Sequence, residues 1–439
     1  MLAILATGSS VLAAAGQTWR TQWERLRVRF AGDVDVVVGL EPETIQLVRA
    51  LVREASEWTR WEPWHKRFPL RNGDLRRMLA NRPTVVVVSS KADEPLLTPA
   101  RLEGARVYIA DLANEQAMAR LLLRPAWRSA GVSLRRLYLL GQDQSENLKL
   151  HDCAERVLGR PTLGPHAKDV VPRIVVRMED SREAREWRAS HFGEEARPDD
   201  AGWFCDAVSQ EEVLATQIAD LVVEKGIAQV FIIGDSALAM ALLDALAWRR
   251  WARYNILRAA IAAVKSSCGV GSDRESQLVE AWRRLSDDQP IDRLGDSAWP
   301  HPEERTPIRL RGITLVCPTA NEMCGEWTRT RAPWGSPDLE PLDVRPKQSM
   351  ASQVENVLGE LIRNDGSGLI VVAEANPTCI VGARREARRD DETTILVPDA
   401  TTHGVAEPVV SGGIGRYGPT WLMAGEALED SWTALGGWC

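Results

Sequence analysis

Residues 34–52 read VDVVVGLEPETIQLVRALV. Val36, Val37 and Val38 stand in succession, a run too continuous for a strand with one wet face and suited to a parallel strand buried on both. The run breaks at Gly39, and Ile45, Leu47, Val48, Leu51 and Val52 then follow at helical spacing. Pro42 falls in the first helical turn, where a missing N–H is tolerated. Strand, glycine turn and helix together open a nucleotide-binding βαβ unit. The arrangement returns at Val230–Leu246, VFIIGDSALAMALLDAL, about two hundred residues on, which points to a duplication.

Outward from these two openings the chain alternates. Strands are predicted at Thr84–Val88, Ala105–Ala110, Leu134–Leu140 and Arg173–Arg177, with helices from Glu115, behind Gly141–Asn147, and over Gln210–Val223. Phe192–Trp203 reads as a charged loop. In the second half, strands are predicted at Val230–Ile233, Gly312–Val316, Leu339–Asp343, Leu369–Ala373 and Thr394–Val397, with a helix near Pro377–Arg389. A helical insert, Leu238–Val264, and a polar stretch, Ser266–Thr306, delay the second of these strands. The fold class is therefore α/β, two Rossmann-like, doubly wound parallel-sheet domains in tandem. The boundaries are a leader over 1–30, a first domain over 31–225, a second over 226–425 with its insert near 238–306, and a tail over 426–439.

The 439 residues suffice for two domains with separate cores. A net charge of −7 argues against a nucleic-acid binder. Seven Cys in no framework spacing read as reduced thiols in a cytosolic setting. Without C-x-x-C or H-E-x-x-H, and with six isolated His, no zinc site is expected. Residues 1–16 are apolar but too short to span a bilayer, which takes roughly 17–25 residues. They also lack the basic start of a secretory signal, and read as a buried leading helix or the stub of a membrane helix. Seventeen Trp against four Tyr and five Phe read as packing and interface residues, with Trp58–Trp64 and Trp248–Trp251 as candidate contacts.

Candidate ligand residues sit at the strand ends, the edge where open α/β sheets bind. The two turns, Gly39-Leu40-Glu41-Pro42-Glu43-Thr44 and Gly234-Asp235-Ser236-Ala237-Leu238-Ala239, keep the first glycine of G-x-G-x-x-G and a small last residue. Both lack the middle glycine that lets backbone approach a pyrophosphate. The second strand of the first half runs into Ser89, Ser90 and Lys91, where an acidic ribose ligand is common; Pro318 and Thr319 follow its counterpart. Asp111 is matched with Asp343, and Gln142 to Asn147 with Glu374 to Thr378 behind Ala373. Because Glu41 and Glu43 oppose a phosphate and Ser236 is small and neutral, the second turn is the expected nucleotide site.

The ordered set Asp111, Ala130-Gly131-Val132, Asp143 to Asn147, and Pro172 to Asp180 (PRIVVRMED, with Arg177) resembles the RCK domains, regulators of potassium conductance, of Trk-type uptake and channel systems. The resemblance covers residues 30–225 well and 226–425 more weakly. It implies a regulatory, non-enzymatic protein that binds NAD(H) or an adenine nucleotide; with Glu41 and Glu43 in its turn, the first domain is expected to be empty or structural. It further implies partnership with a membrane channel or transporter subunit, self-association into a ring, and a cytoplasmic place at the inner membrane face. The chain carries no pore signature. Two alternatives stand beside it: an NAD(P)-dependent oxidoreductase on the same fold, and an α/β hydrolase using Ser236, Asp399 and His403 in the Ser…Asp…His order.

Overall fold

β1 (Val34–Val38) explains its own sequence: Val34, Val36 and Val37 are closed to solvent although they point to opposite faces. Helix α1 (Pro42–Glu57) begins on Pro42 and buries Leu47, Val48, Leu51 and Ala55. The computed structural model describes residues 34–57, 84–123, 134–159, 173–191, 204–250, 310–330, 342–390, 392–399, 404–406 and 414–418. The chain divides into two compact units, Met1–Gln210 and Glu211–Cys439.

The first unit continues with β2 (Thr84–Ser89), α2 (Leu97–Leu102), β3 (Arg106–Ile109), α3 (Glu115–Leu122), β4 (Leu134–Leu139), α4 (Gln144–Leu158), β5 (Arg173–Arg177), α5 (Ser181–His191) and β6 (Phe204–Val208). Its sheet is wholly parallel in the order β3-β2-β1-β4-β5-β6. That is the doubly wound order, with a switch point between β1 and β4 where consecutive crossovers leave in opposite directions. Met118, Leu121, Leu150, Cys153, Ala154 and Val157 of α3 and α4 close one face over Val34, Val36, Leu137 and Ile174. β6 was not foreseen in the sequence, because FCDAV carries a charge at its centre. Asp206 is nonetheless buried, with Arg188 3.7 Å away.

The second unit holds α6 (Gln210–Lys225), β7 (Gln229–Ile233), α7 (237–250), β8 (Gly312–Cys317), α8 (Ala320–Thr330), β9 (Asp343–Gln348), α9 (Val354–Asp365), β10 (Leu369–Val372), α10 (Pro377–Ala387), β11 (Thr394–Pro398), β12 (Gly404–Ala406) and β13 (Ile414–Gly418). The order is β12-β13-β11-β10-β7-β8-β9, parallel except for β12 against β13. Its six parallel strands therefore repeat the first sheet's order. α6 packs Leu214, Ile218, Leu221 and Val222 into this second core, so that core begins before residue 226.

Three bonds at the carboxyl edge set the correspondence between units. Leu140 N–H donates to Val38 O as Ala373 N–H does to Ile233 O, both at 2.8 Å. Ala110 N–H to Ser89 O (3.1 Å) matches Ser349 N–H to Cys317 O (3.2 Å). Met178 N–H to Val208 O (2.9 Å) matches Asp399 N–H to Tyr417 O (2.7 Å). Gly39 thus corresponds to Gly234, Leu140 to Ala373 and Arg177 to Pro398.

This register corrects the third strand of the second half. It was expected over Leu339–Asp343, but β9 starts at Asp343 and runs to Gln348. Asp343 is paired with Gly312 at the amino end of the sheet, opposite the ligand edge, and its carboxylate binds Arg345. The counterpart of Asp111 is Met350. The misreading has a physical cause: β9 is an edge strand with Arg345, Pro346 and Lys347 in it, the polar and proline-bearing make-up that protects edges. The glycine-rich SGGIGRYG similarly hid β13.

The leader, Trp58–Trp64, Phe192–Trp203, Trp251, Ser266–Thr306, His403 and Thr420–Met423 lie outside the described residues. No helix among the described residues is long and apolar enough to cross a membrane.

Candidate functional site

At the first switch point the turn is set by Gly39, whose φ is +89°. A Cβ there would stand 2.3 Å from Gly141 N, so only glycine fits this crossing of the β1 and β4 ends. Leu40 follows, half-buried, and then Glu41. The Glu41 N–H donates to Thr44 Oγ1 and the Thr44 hydroxyl donates to Glu41 O, both at 2.8 Å. Pro42 has no N–H, and Thr44 N–H returns to Glu41 O at 3.1 Å. The start of α1 is therefore largely satisfied from within, and is not the open backbone cradle that holds a pyrophosphate in this fold.

The cation at this edge comes from β5. Arg177 Nη1 donates to Glu41 Oε1 at 2.6 Å and to Leu140 O at 3.4 Å. The two side chains are only 18% and 11% exposed. Asn147, buried on α4, donates to Gly141 O at 2.8 Å and Arg177 O at 3.3 Å, which pins the β4–α4 turn to the end of β5. Asp143 caps α4 through Ser145 N–H and Glu146 N–H, and Gln142 beside it is exposed. Gly39, Glu41, Thr44, Asn147 and Arg177 are thus brought together. Ser89 and Asp111 are not. Ser89 donates to Lys91 O and accepts from Lys91 N–H, and Asp111 accepts from Ala113 N–H at 3.0 Å in its own turn.

The second switch point is closed differently. Gly234 has φ +114°, and a Cβ would lie 2.9 Å from Glu374 Cγ. Glu374 thus covers this turn, where the first unit has Gly141. Ser236 donates to Ala373 O at 2.7 Å, and Ala239 is buried behind it. Thr319, following Pro318, donates to Asp235 Oδ2 at 3.2 Å. Burial, with Glu374 adding to it, pushes the Cys379 thiol up to about 11. Burial first, then Asp235 and Glu374, also raises Cys317 against the lowering bonds from Thr319. The position of Arg177 is taken by Pro398.

These facts bear on the electrostatics of the two turns. The sequence counted Glu41 as an uncompensated charge, whereas it is neutralised by Arg177. Ser236, counted as a free donor, is engaged, and Glu374 and Asp235 flank its turn. The same engagement bears on the hydrolase reading: the Ser236 proton goes to a backbone carbonyl, and Asp399 pairs with Arg416 at 2.7 Å. Among the described residues one group of metal-type donors lies together, His151, Asp152 and Glu155, with ligand atoms within 4.8 Å of one another. All three come from α4, and the His151 ring is held edge-on against Trp187 at 5.2 Å, as a packed core histidine is.

No protein-family model matches the chain, and no curated protein matches it. Among solved structures, the crystal structure of GsuK bound to ADP has 12% identity and a TM-score of 0.34, covering 92% of this chain and 64% of that one. The GsuK channel has 12% identity and a TM-score of 0.28, covering 82% of this chain and 68% of that one. The chain therefore spans just under two thirds of the first of these. The fold assignment rests on the strand order and register described above.

Proposed function

We propose that the chain is a regulatory, nucleotide-sensing protein of RCK type, with its anion seat at the first switch point. The observation that carries this reading is the Arg177 guanidinium, set at the end of β5 between Glu41 and Leu140 O. A guanidinium in partly desolvated surroundings binds phosphate oxygens through short, charge-assisted bonds. The glycines Gly39 and Gly141 leave backbone, not side chain, between β1 and β4. The ligand is an adenine nucleotide in preference to NAD(H). No acidic residue ends β2, and Ser89 is committed to its own turn, so anchorage falls to the phosphates and not to a ribose hydroxyl. Among the described residues at this edge none is arranged to do covalent chemistry, which favours sensing over turnover.

Ligand binding at one unit would bias its arrangement, and the bias would pass to a channel or transporter subunit as a population shift. Ring assembly of several chains belongs to the same proposal; light scattering that returns a single-chain mass at high concentration counts against it. The site itself is tested by calorimetry with ADP, NADH and adenosine on wild type and Arg177→Gln. ADP affinity is expected to fall about tenfold or more in the variant. Equal affinity would remove Arg177 from the site and with it the reading.

A further inference from the structure

The two units tether the third residue of the turn to the end of the fourth strand by different chemistry. In the second unit Ser236 donates directly to Ala373 O at 2.7 Å. In the first, the corresponding residue is Glu41 and the corresponding carbonyl is Leu140 O. Arg177 bridges them, at 2.6 Å to the carboxylate and 3.4 Å to the carbonyl. The direct tether is a neutral bond with Glu374 and Asp235 beside it, so an arriving anion meets two carboxylates, and no described residue of this turn is a cation. The bridged tether is an ion pair whose anionic half can be exchanged for another anion.

Resting on the nucleotide reading above, we infer that Glu41 is an internal competitor for the phosphate seat, and that a ligand enters by displacing its carboxylate from Arg177. The position supports this. Glu41 stands at the middle-glycine position of the turn, the one whose backbone approaches pyrophosphate in other proteins of this strand order. Exchange preserves the charge on the guanidinium, which neither loses its counterion nor is left unpaired while largely buried. The backbone of the turn is held separately by Thr44 and Gly39, so only the Glu41 side chain has to move. Two consequences follow. Only ligands that bring a phosphate are admitted, since a nucleoside offers Arg177 nothing in place of the carboxylate. Binding also replaces the Glu41 side-chain link between the β1–α1 turn and the β4 end by the ligand, which couples occupancy to the sheet edge.

The test uses the full chain, with ADP, inorganic pyrophosphate and adenosine as probes and calorimetry as the readout. Glu41→Gln removes the competing charge and keeps the shape. It is expected to bind ADP and pyrophosphate about tenfold more tightly than wild type, with adenosine unchanged. The double variant Glu41→Gln/Arg177→Gln is expected to lose that gain, because there is no cation left to compete for. Heat-denaturation midpoints of each variant, without and with ADP, separate altered folding from altered affinity. Tighter ADP binding in Glu41→Gln than in wild type, or binding that only this variant shows, supports the inference. Equal or weaker binding in Glu41→Gln, with wild type binding ADP, overturns the inference and leaves the nucleotide reading standing. Absence of binding by both overturns the nucleotide reading and the inference with it.

Discussion

Gly39 and Gly366 share nearly the same φ, +89° and +90°, and differ in what surrounds them. A Cβ on Gly39 meets Gly141 backbone at 2.3 Å, whereas one on Gly366 meets nothing within 4 Å. Gly366, with ψ 177°, lies in a region essentially reserved for glycine, so Gly366→Ala is expected to cost that backbone strain alone, about 1–3 kcal/mol. Gly39→Ala should cost that strain plus displacement of the β4 end, roughly 3–5 kcal/mol. Urea unfolding of the two variants separates the effects; equal costs would mean that the crossing of β1 and β4 ends is looser than described. At this scale the sequence revealed the glycine turn and nominated Arg177, but could not pair Arg177 with Glu41. They stand 136 positions apart, and nothing in a local pattern reports a contact at that separation. The same limit made Glu41 look repulsive and Ser236 look free.

Elements were legible where burial makes the sequence monotonous. β1, β2, β5, β7, β8 and β10 are mostly apolar because both faces are covered, and their predicted limits, like those of the arginine-bearing β4, stand within a residue or so. The edge strands β6 and β9 obey other demands, which is why β9 is shifted and β6 does not stand out, while β13, an inner strand, is hidden by its glycines. A second feature went unseen on the α1 side of the first sheet. Asp35, fully buried in β1, has Arg135 Nε 3.2 Å away. Glu54 of α1 takes Arg136 through bonds of 2.7 and 2.8 Å and also binds Arg135. Burial alone would raise the Glu54 carboxyl, but Arg136 and then Arg135 outweigh it and hold it below its ordinary value. A depressed folded pKa contributes stability that is present above the unfolded value, about 4.3. That stability is lost as pH falls through the folded one. Glu54→Gln should therefore be less stable than wild type at pH 7, and the gap between their urea midpoints should close below about pH 4. A gap that stays constant from pH 7 to pH 3 would show that the ion pairs do not couple α1 to the sheet.

On the scale of the whole molecule, two units repeat one strand order around separate cores, and their ligand edges have diverged. One edge keeps the Glu41–Arg177 ion pair, and the other is closed by a hydroxyl and covered by Glu374. The tandem organisation was readable from two strand–glycine–helix openings. The Glu41–Arg177 and Ser236–Ala373 pairings at the two edges were not, since they depend on partners brought together by folding. The most direct test of the account is a crystal structure of the chain grown with ADP. The account predicts phosphate density at the first switch point, within hydrogen-bond reach of Arg177, with the Glu41 carboxylate turned away from the guanidinium. ADP density at the Gly234 turn instead, or an occupied first edge with the Glu41–Arg177 pair intact, would contradict it.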